Sequence, residues 1–129
     1  MNYKVNDKEF FSVISLSPSK RYLYLIKKIV DFKEIWSLWD EGWALYSDEE
    51  NNECIPIWPN EQYAQVCAID NWVNYLPKKI SLLDWINKWI PGMKNDRRKV
   101  AAFPTSNDKG IIIEPDRIKN DINKELGNY

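Results

Sequence analysis

The chain contains no histidine. That removes the commonest general base, the usual partner of a catalytic nucleophile and the commonest metal ligand, so most hydrolase mechanisms lose a member. Glycine is scarce, and its four positions, Gly42, Gly92, Gly110 and Gly127, lie far apart. They cannot assemble a phosphate loop or a dinucleotide fingerprint, both of which need glycines close together. Two cysteines, Cys54 and Cys67, without histidine make a poor transition-metal site. No metal or other cofactor is expected. Long apolar runs are also missing, because charges or amides interrupt every stretch well short of the roughly 20 residues that span a bilayer. The segment Met1-Asn2-Tyr3-Lys4-Val5-Asn6-Asp7 is polar and no signal-like apolar run follows it. Export is therefore not expected, and a cytoplasmic location with reduced thiols is.

What remains is a chain of 129 residues, 44% hydrophobic, which can bury a core without metal or disulfide and is expected to form one domain over 1–129. Asn6 and Asp7 are capping candidates for a short helix carrying Phe10, Phe11, Val13, Ile14 and Leu16. Ser17 followed by Pro18 starts a second helix, with Tyr22, Leu25, Ile26 and Ile29 at helical spacing and Lys20, Lys27 and Lys28 on the polar side. The aromatic and branched run Glu34 to Trp39, the turn Asp40-Glu41-Gly42 and the run Trp43 to Tyr46 together predict a hairpin. Glu53 to Trp58 predicts a strand that Pro56 confines to an edge or a bulge. Glu61 to Ala68 predicts a short helix.

Trp72 to Leu76 is ambiguous between loop and strand. Ser81 with Asp84 three residues on resembles a capping box for a helix with an apolar face of Leu82, Trp85, Ile86 and Trp89, packed on a strand from Lys99 to Phe103 and ended by Pro91-Gly92. Met93 to Arg97 then reads as a polar link. After a turn at Ser106 to Gly110, Ile111-Ile112-Ile113 continues the sheet as a buried strand, and Pro115 opens a last helix bearing Ile118, Ile122 and Leu126. Hairpin connections dominate, so the expected fold is α+β, a mostly antiparallel sheet of about five strands with helices packed on it.

Net charge is −1, but it is unevenly spread. Between Asp31 and Leu76 ten acids face one base, Lys33, while the flanks hold seventeen bases and nine acids. Five of the seven tryptophans fall in that acidic segment. Acids around large aromatic anchors suit recognition of a basic protein, and the same negative charge opposes direct binding of nucleic acid. The candidate partner-binding residues are Asp40, Glu41, Asp48, Glu49, Glu50, Glu53 and Asp70, with Trp43 and Tyr46 as anchors. The Asp48 to Glu50 run is read as a solvated turn rather than a catalytic or metal site.

The stretches Glu41 to Leu45 (EGWAL), Ile55 to Pro59 (IPIWP), Ile80 to Gly92 (ISLLDWINKWIPG) and Val100 to Thr105 (VAAFPT) resemble, in this order, an uncharacterised bacterial family known only as a domain of unknown function, DUF2750. The resemblance runs from the second helix to the last. It implies one compact bacterial domain and carries over no activity and no catalytic residue.

With catalytic groups missing and an acidic, aromatic-rich segment present, the expected role is non-catalytic. The sequence suggests an intracellular binding protein, in its concrete form an immunity protein that neutralises a basic, nuclease-type toxin by masking its active surface, monomeric when free and without contact to membranes. Two other readings stand beside it. One is a small enzyme or metabolite binder with carboxylates in a cleft, which requires buried carboxylates. The other is a housekeeping adaptor or regulatory domain.

Overall fold

The computed structural model describes residues 4–127. The two N-terminal helices begin where their caps predict. Asn6 accepts from the Glu9 amide to open α1 (Asp7–Ile14), and Ser17 accepts from the Lys20 amide ahead of Pro18, which opens α2 (Pro18–Phe32). Both caps pair amide donors that the first helical turn leaves without intrahelical acceptors. α2 buries Tyr22, Leu25, Ile26, Ile29 and Val30 along one stripe, each apolar side chain contributing about 1.5–3 kcal/mol relative to exposure. Lys33 then takes a left-handed conformation (φ 57°) and turns the chain into β1 (Glu34–Trp39).

The α+β class is observed, in a different sheet arrangement from the one expected. Six strands form two sheets, β1 with β4 (Leu76–Ser81), and β2 (Tyr46–Ser47), β3 (Glu53–Ile57), β5 (Lys99–Ala102) and β6 (Ile111–Ile113) in the order β2-β3-β5-β6. β1 pairs with β4 antiparallel over its whole length, from Glu34↔Ser81 to Trp39↔Leu76. The expected hairpin to Trp43–Tyr46 shrinks to one bridge, Trp39↔Trp43. β3 and β5 run parallel, Cys54 opposite Lys99 and Ile57 opposite Ala102. From Cys54 to Ile57 and from Val100 to Ala102 every residue is buried, the pattern of strands covered on both faces.

Pro56 explains why the sheets do not merge. Trp36 and Trp58 exchange backbone hydrogen bonds of 2.9 and 2.8 Å, and an antiparallel ladder would next bond Leu38 to Pro56. Pro56 has no N–H to give. The Leu38 carbonyl instead accepts from the Ala44 amide (2.9 Å), the Pro56 carbonyl accepts from Ser37 Oγ (2.6 Å), and the chain returns as β2 to pair further along β3. Proline thus sits in a gap between two partners of one strand edge, which refines the expected edge position.

Asn60 caps α3 (Glu61–Val66), and a short 3-10 turn (Asp70–Trp72) leads to β4. Ser81 Oγ accepts from the Asp84 amide (3.1 Å), as the capping box predicts. The helix that follows does not stop at Pro91-Gly92. It runs as α4 (Leu82–Asp84), a π-helical turn (Trp85–Trp89) and α5 (Ile90–Asp96), with Ile90 donating back to the Trp85 carbonyl. The wider turn precedes Pro91, whose ring and missing N–H an uninterrupted α-helix does not accommodate. It also shifts the buried stripe by one residue. Leu82 and Trp85 are buried as expected, but Ile90 and Met93 continue the face while Ile86 and Trp89 are half-buried. Residues 93–97, expected as a polar link, mostly belong to this helix, and α5 packs against α6 (Pro115–Leu126).

β5 and β6 form the expected hairpin, Val100↔Ile113 to Ala102↔Ile111. Its outer strand is half-buried rather than buried, because β6 ends the sheet. α6 buries Ile118 and Ile122 and packs on α2.

At the far end of β5 the backbone is held in an unusual shape. Phe103 is left-handed (φ 57°) immediately before Pro104, a region that non-glycine residues seldom occupy and that residues preceding proline avoid. Buried donors fix the two carbonyls. Arg21 Nε donates to Phe103 O (3.1 Å), while Trp58 Nε1 (2.9 Å) and Cys67 Sγ (3.4 Å) donate to Pro104 O. Arg21, only 1% exposed, also donates to Leu16 O (2.8 Å) and pairs with Asp108.

Candidate functional site

The acidic segment divides into charges the fold uses and charges it leaves to solvent. Asp48 belongs to the first group. Its carboxylate accepts from the Glu50 amide (2.9 Å), the Asn52 amide (2.8 Å) and Asn52 Nδ2 (3.0 Å), closing the β2–β3 turn. The Asn52 side-chain and backbone hydrogen bonds hold its pKa below the usual carboxylate value. Glu53 lies 3.5 Å from Arg98 Nε, and Glu34 lies 3.8 Å from Lys79 Nζ. At these points the basic flanks fold back onto the acidic middle and cancel part of its field.

Asp40, Glu41, Glu49, Glu50 and Asp70 are exposed and form no ion pair with other described residues. Asp40 and Glu41 make the β1–β2 turn, where the Asp40 amide donates to Gly42 O (2.9 Å) and Glu41 is left-handed (φ 57°). Glu49 and Glu50 cap the next turn. Asp70 opens the 3-10 turn that brings Trp72 against Tyr46, ring centroids 5.8 Å apart. Tyr46, Asp48, Glu49, Glu50 and Glu53 therefore share one hairpin, with Asp40, Glu41 and Trp43 on the connection just before it.

Tyr46 is a less free anchor than expected. Its hydroxyl donates to Lys109 O (2.8 Å), and burial raises its pKa well above the ordinary phenol value, so it stays neutral at physiological pH. Trp43 is half-buried in a chain of rings. It meets Trp39 edge to face at 4.9 Å and Trp89 at 4.6 Å, and Trp89 stacks on Trp85 at 5.7 Å. Lys78 Nζ, arriving from β4, stands 4.1 Å from the Trp39 ring centroid and 5.4 Å from that of Trp43.

Beside Trp43 opens a groove of about 490 Å³. Its lining combines Gly42, Trp43 and Leu45 from the β1–β2 connection, Ile55 from β3, Trp89, Gly92 and Met93 from the helix after Ser81, and the charged Lys88, Asp96 and Arg98. Three of the four sequence stretches that carry the family resemblance thus meet at one place. The fourth, ending in Phe103-Pro104-Thr105, joins them through the Trp58 hydrogen bond to Pro104. Trp39, Lys78 and Trp89 were absent from the residues picked by sequence. Trp89 lies in one motif stretch and Trp39 bridges another at Trp43, whereas only the fold brings Lys78 to the rings.

Both cysteines are unpaired and buried. Burial pushes the Cys67 thiol up to about 11 and raises that of Cys54, so neither is a ready thiolate at neutral pH. Among the described residues no group of three or more Cys, Asp or Glu is arranged to hold a metal ion, and no helix is long and apolar enough to cross a membrane. Ring surfaces, carboxylates and a groove lined by both apolar and charged residues can bind.

Comparison with known proteins finds no curated protein and no solved structure that matches. The model of one family, described as protein of unknown function (DUF2750), covers residues 22–122, from α2 to α6 and through all four motif stretches, and the chain belongs to that family.

Proposed function

We propose that this protein is a non-catalytic binding module for a basic protein, and in its concrete form an immunity protein that covers the active surface of a cognate nuclease-type toxin in the cytoplasm. The observation that carries the reading is the set of exposed acids without ion pairs to other described residues, Asp40, Glu41, Glu49 and Glu50, on two successive turns beside the half-buried Trp43 and Tyr46. Such acids steer a basic partner during encounter, and a partly desolvated ring retains it after contact. Partner arrival and partner retention then depend on different residues. The enzyme reading asks for two buried carboxylates, whereas the buried polar side chains among the described residues are Arg21, Ser37 and Asn60.

The test begins with the gene beside this one. A neighbour ending in a small basic domain is expressed alone and together with this protein. The expected result is growth arrest by the domain alone, relief on co-expression, and slower association when Asp40, Glu41, Glu49 and Glu50 are all changed to lysine. Stable co-purification with a housekeeping protein, and no protection against any neighbouring toxin, would select the adaptor role.

A further inference from the structure

Trp39 ends β1, and Trp43 follows across the Asp40-Glu41-Gly42 turn, tied back by one antiparallel bridge. The two rings meet edge to face and both are half-buried. Among the described residues the ammonium against them is that of Lys78, 4.1 Å and 5.4 Å from the ring centroids. Lys78 is exposed and has no carboxylate in ion-pair range among the described residues. The contact that the structure shows for its charge is therefore aromatic. Indole faces attract a cation through their quadrupole, most strongly among the aromatic side chains. The turn joining the two rings carries Asp40 and Glu41, exposed and without ion pairs to other described residues, which add negative potential next to the ring faces.

We propose that Trp39 and Trp43 form a receptor for a lysine side-chain ammonium of the partner protein, and that Lys78 is an internal stand-in displaced on docking. This rests on the reading above that the partner is basic. Lys78 reaches the rings on a flexible stem from an exposed strand position, so it leaves without disturbing the β1–β4 ladder, which is made by backbone groups. An exposed cation–π contact of ordinary strength keeps the rings occupied a few times more often than vacant, and a competing ammonium binds more weakly by about that factor. Lys78 thereby sets the threshold above which an outside lysine is accepted. The left-handed Glu41 holds the turn that brings Trp43 back over Trp39.

The experiment follows the indole N–H signals of the full chain by NMR and needs no partner protein. Nα-acetyl-lysine amide is titrated into the native chain, Lys78→Met and Lys78→Gln, with sodium chloride at matched ionic strength as the control. Both variants are expected to bind the lysine amide roughly three- to sixfold more tightly than the native chain. The shifts should centre on Trp39 and Trp43, the salt control should produce none, and Trp43→Ala should abolish binding. Equal affinity in native and Lys78 variants, or no saturable shift in either variant, would overturn the proposal.

A second titration uses choline. Choline binding far more tightly than the lysine amide would overturn the side-chain assignment in favour of a free quaternary ammonium. Because these probes are small molecules, the cage can hold while the toxin-covering role fails. The reverse outcome, protection against a toxin with an association and dissociation unchanged in Trp39→Ala, Trp43→Ala and Lys78→Met, would leave the function standing and remove the cage from docking.

Discussion

Trp58 and Trp43 are the same side chain put to opposite uses. Trp58 is fully buried, and its indole N–H is committed to the Pro104 carbonyl at 2.9 Å. Trp43 is half-buried, and its ring meets two other rings, a lysine ammonium and a groove open to solvent. The first belongs to a region where Arg21, Trp58 and Cys67 together hold a left-handed Phe103 in place. The second belongs to a region whose contacts are exchangeable. A polar handle satisfied internally marks a tryptophan as part of the scaffold, whereas rings shared with a removable cation mark one as a surface for something else.

The largest test of this contrast lies at the pinned end. Arg21→Ala removes donors from Phe103 O and Leu16 O and the partner of the partly exposed Asp108, and should destabilise the protein by about 3–5 kcal/mol in urea unfolding, because each carbonyl left without a donor costs about 1–3 kcal/mol and the buried stem leaves a cavity. A loss under about 1 kcal/mol would mean that the strained turn holds without it. Next comes the pair itself. Trp58→Ala should cost about 3–5 kcal/mol through its cavity and lost hydrogen bond, and Trp43→Ala roughly 1–2 kcal/mol because part of its ring already faces water. Equal losses would abolish the distinction between scaffold and surface.

A smaller effect separates the acids. Asp48→Ala should lower the melting temperature at neutral pH, since it strips acceptors from the Glu50 and Asn52 amides. Its folded-state pKa lies below the usual value of 3.8, so the advantage of the native chain is complete above that value and is lost as pH falls through the depressed one. Melting curves of the two proteins should converge on acidification and stay parallel above about pH 5. The smallest effect belongs to the neighbours. Glu49→Lys with Glu50→Lys should change stability by no more than about 0.5 kcal/mol, while slowing association with a basic partner and flattening its salt dependence.

Local chemistry was legible and distant pairing was not. Asn6, Ser17 and Ser81 cap the helices the sequence assigned to them, because a cap needs only a side chain and an amide a few residues away. β4 was left unassigned since Leu76-Pro77-Lys78-Lys79-Ile80-Ser81 lacks the branched and aromatic content of a strand. Its identity comes from β1, more than thirty residues earlier. The buried stripe after Ser81 slipped because one π-helical turn inserts a residue into a periodic pattern that reads as ordinary helix. Among the residues picked as a partner site, Asp48 was grouped with Glu49 and Glu50 although its side chain holds the turn, and Tyr46 was read as an anchor although its hydroxyl is bonded to Lys109 O. Arg21 was missed. Its four-residue spacing from Leu25 and Ile29 placed it on the buried stripe, yet its partner Asp108 lies 87 residues away.

Pro56 carries one more consequence, for motion. The β1–β4 sheet joins the four-stranded sheet through a single backbone bridge and one serine hydroxyl, because the ladder cannot continue past a residue without an amide. β4 is exposed at most positions and bonded to β1 alone, so it can open while the doubly covered β3 and β5 stay closed, and its amides should exchange hydrogen for deuterium before theirs. Lys78, which stands against the rings of Trp39 and Trp43, belongs to that strand. A partner that settles on the rings would tighten the seam, and its arrival would register as slowed exchange along β4 with little change in β3 and β5.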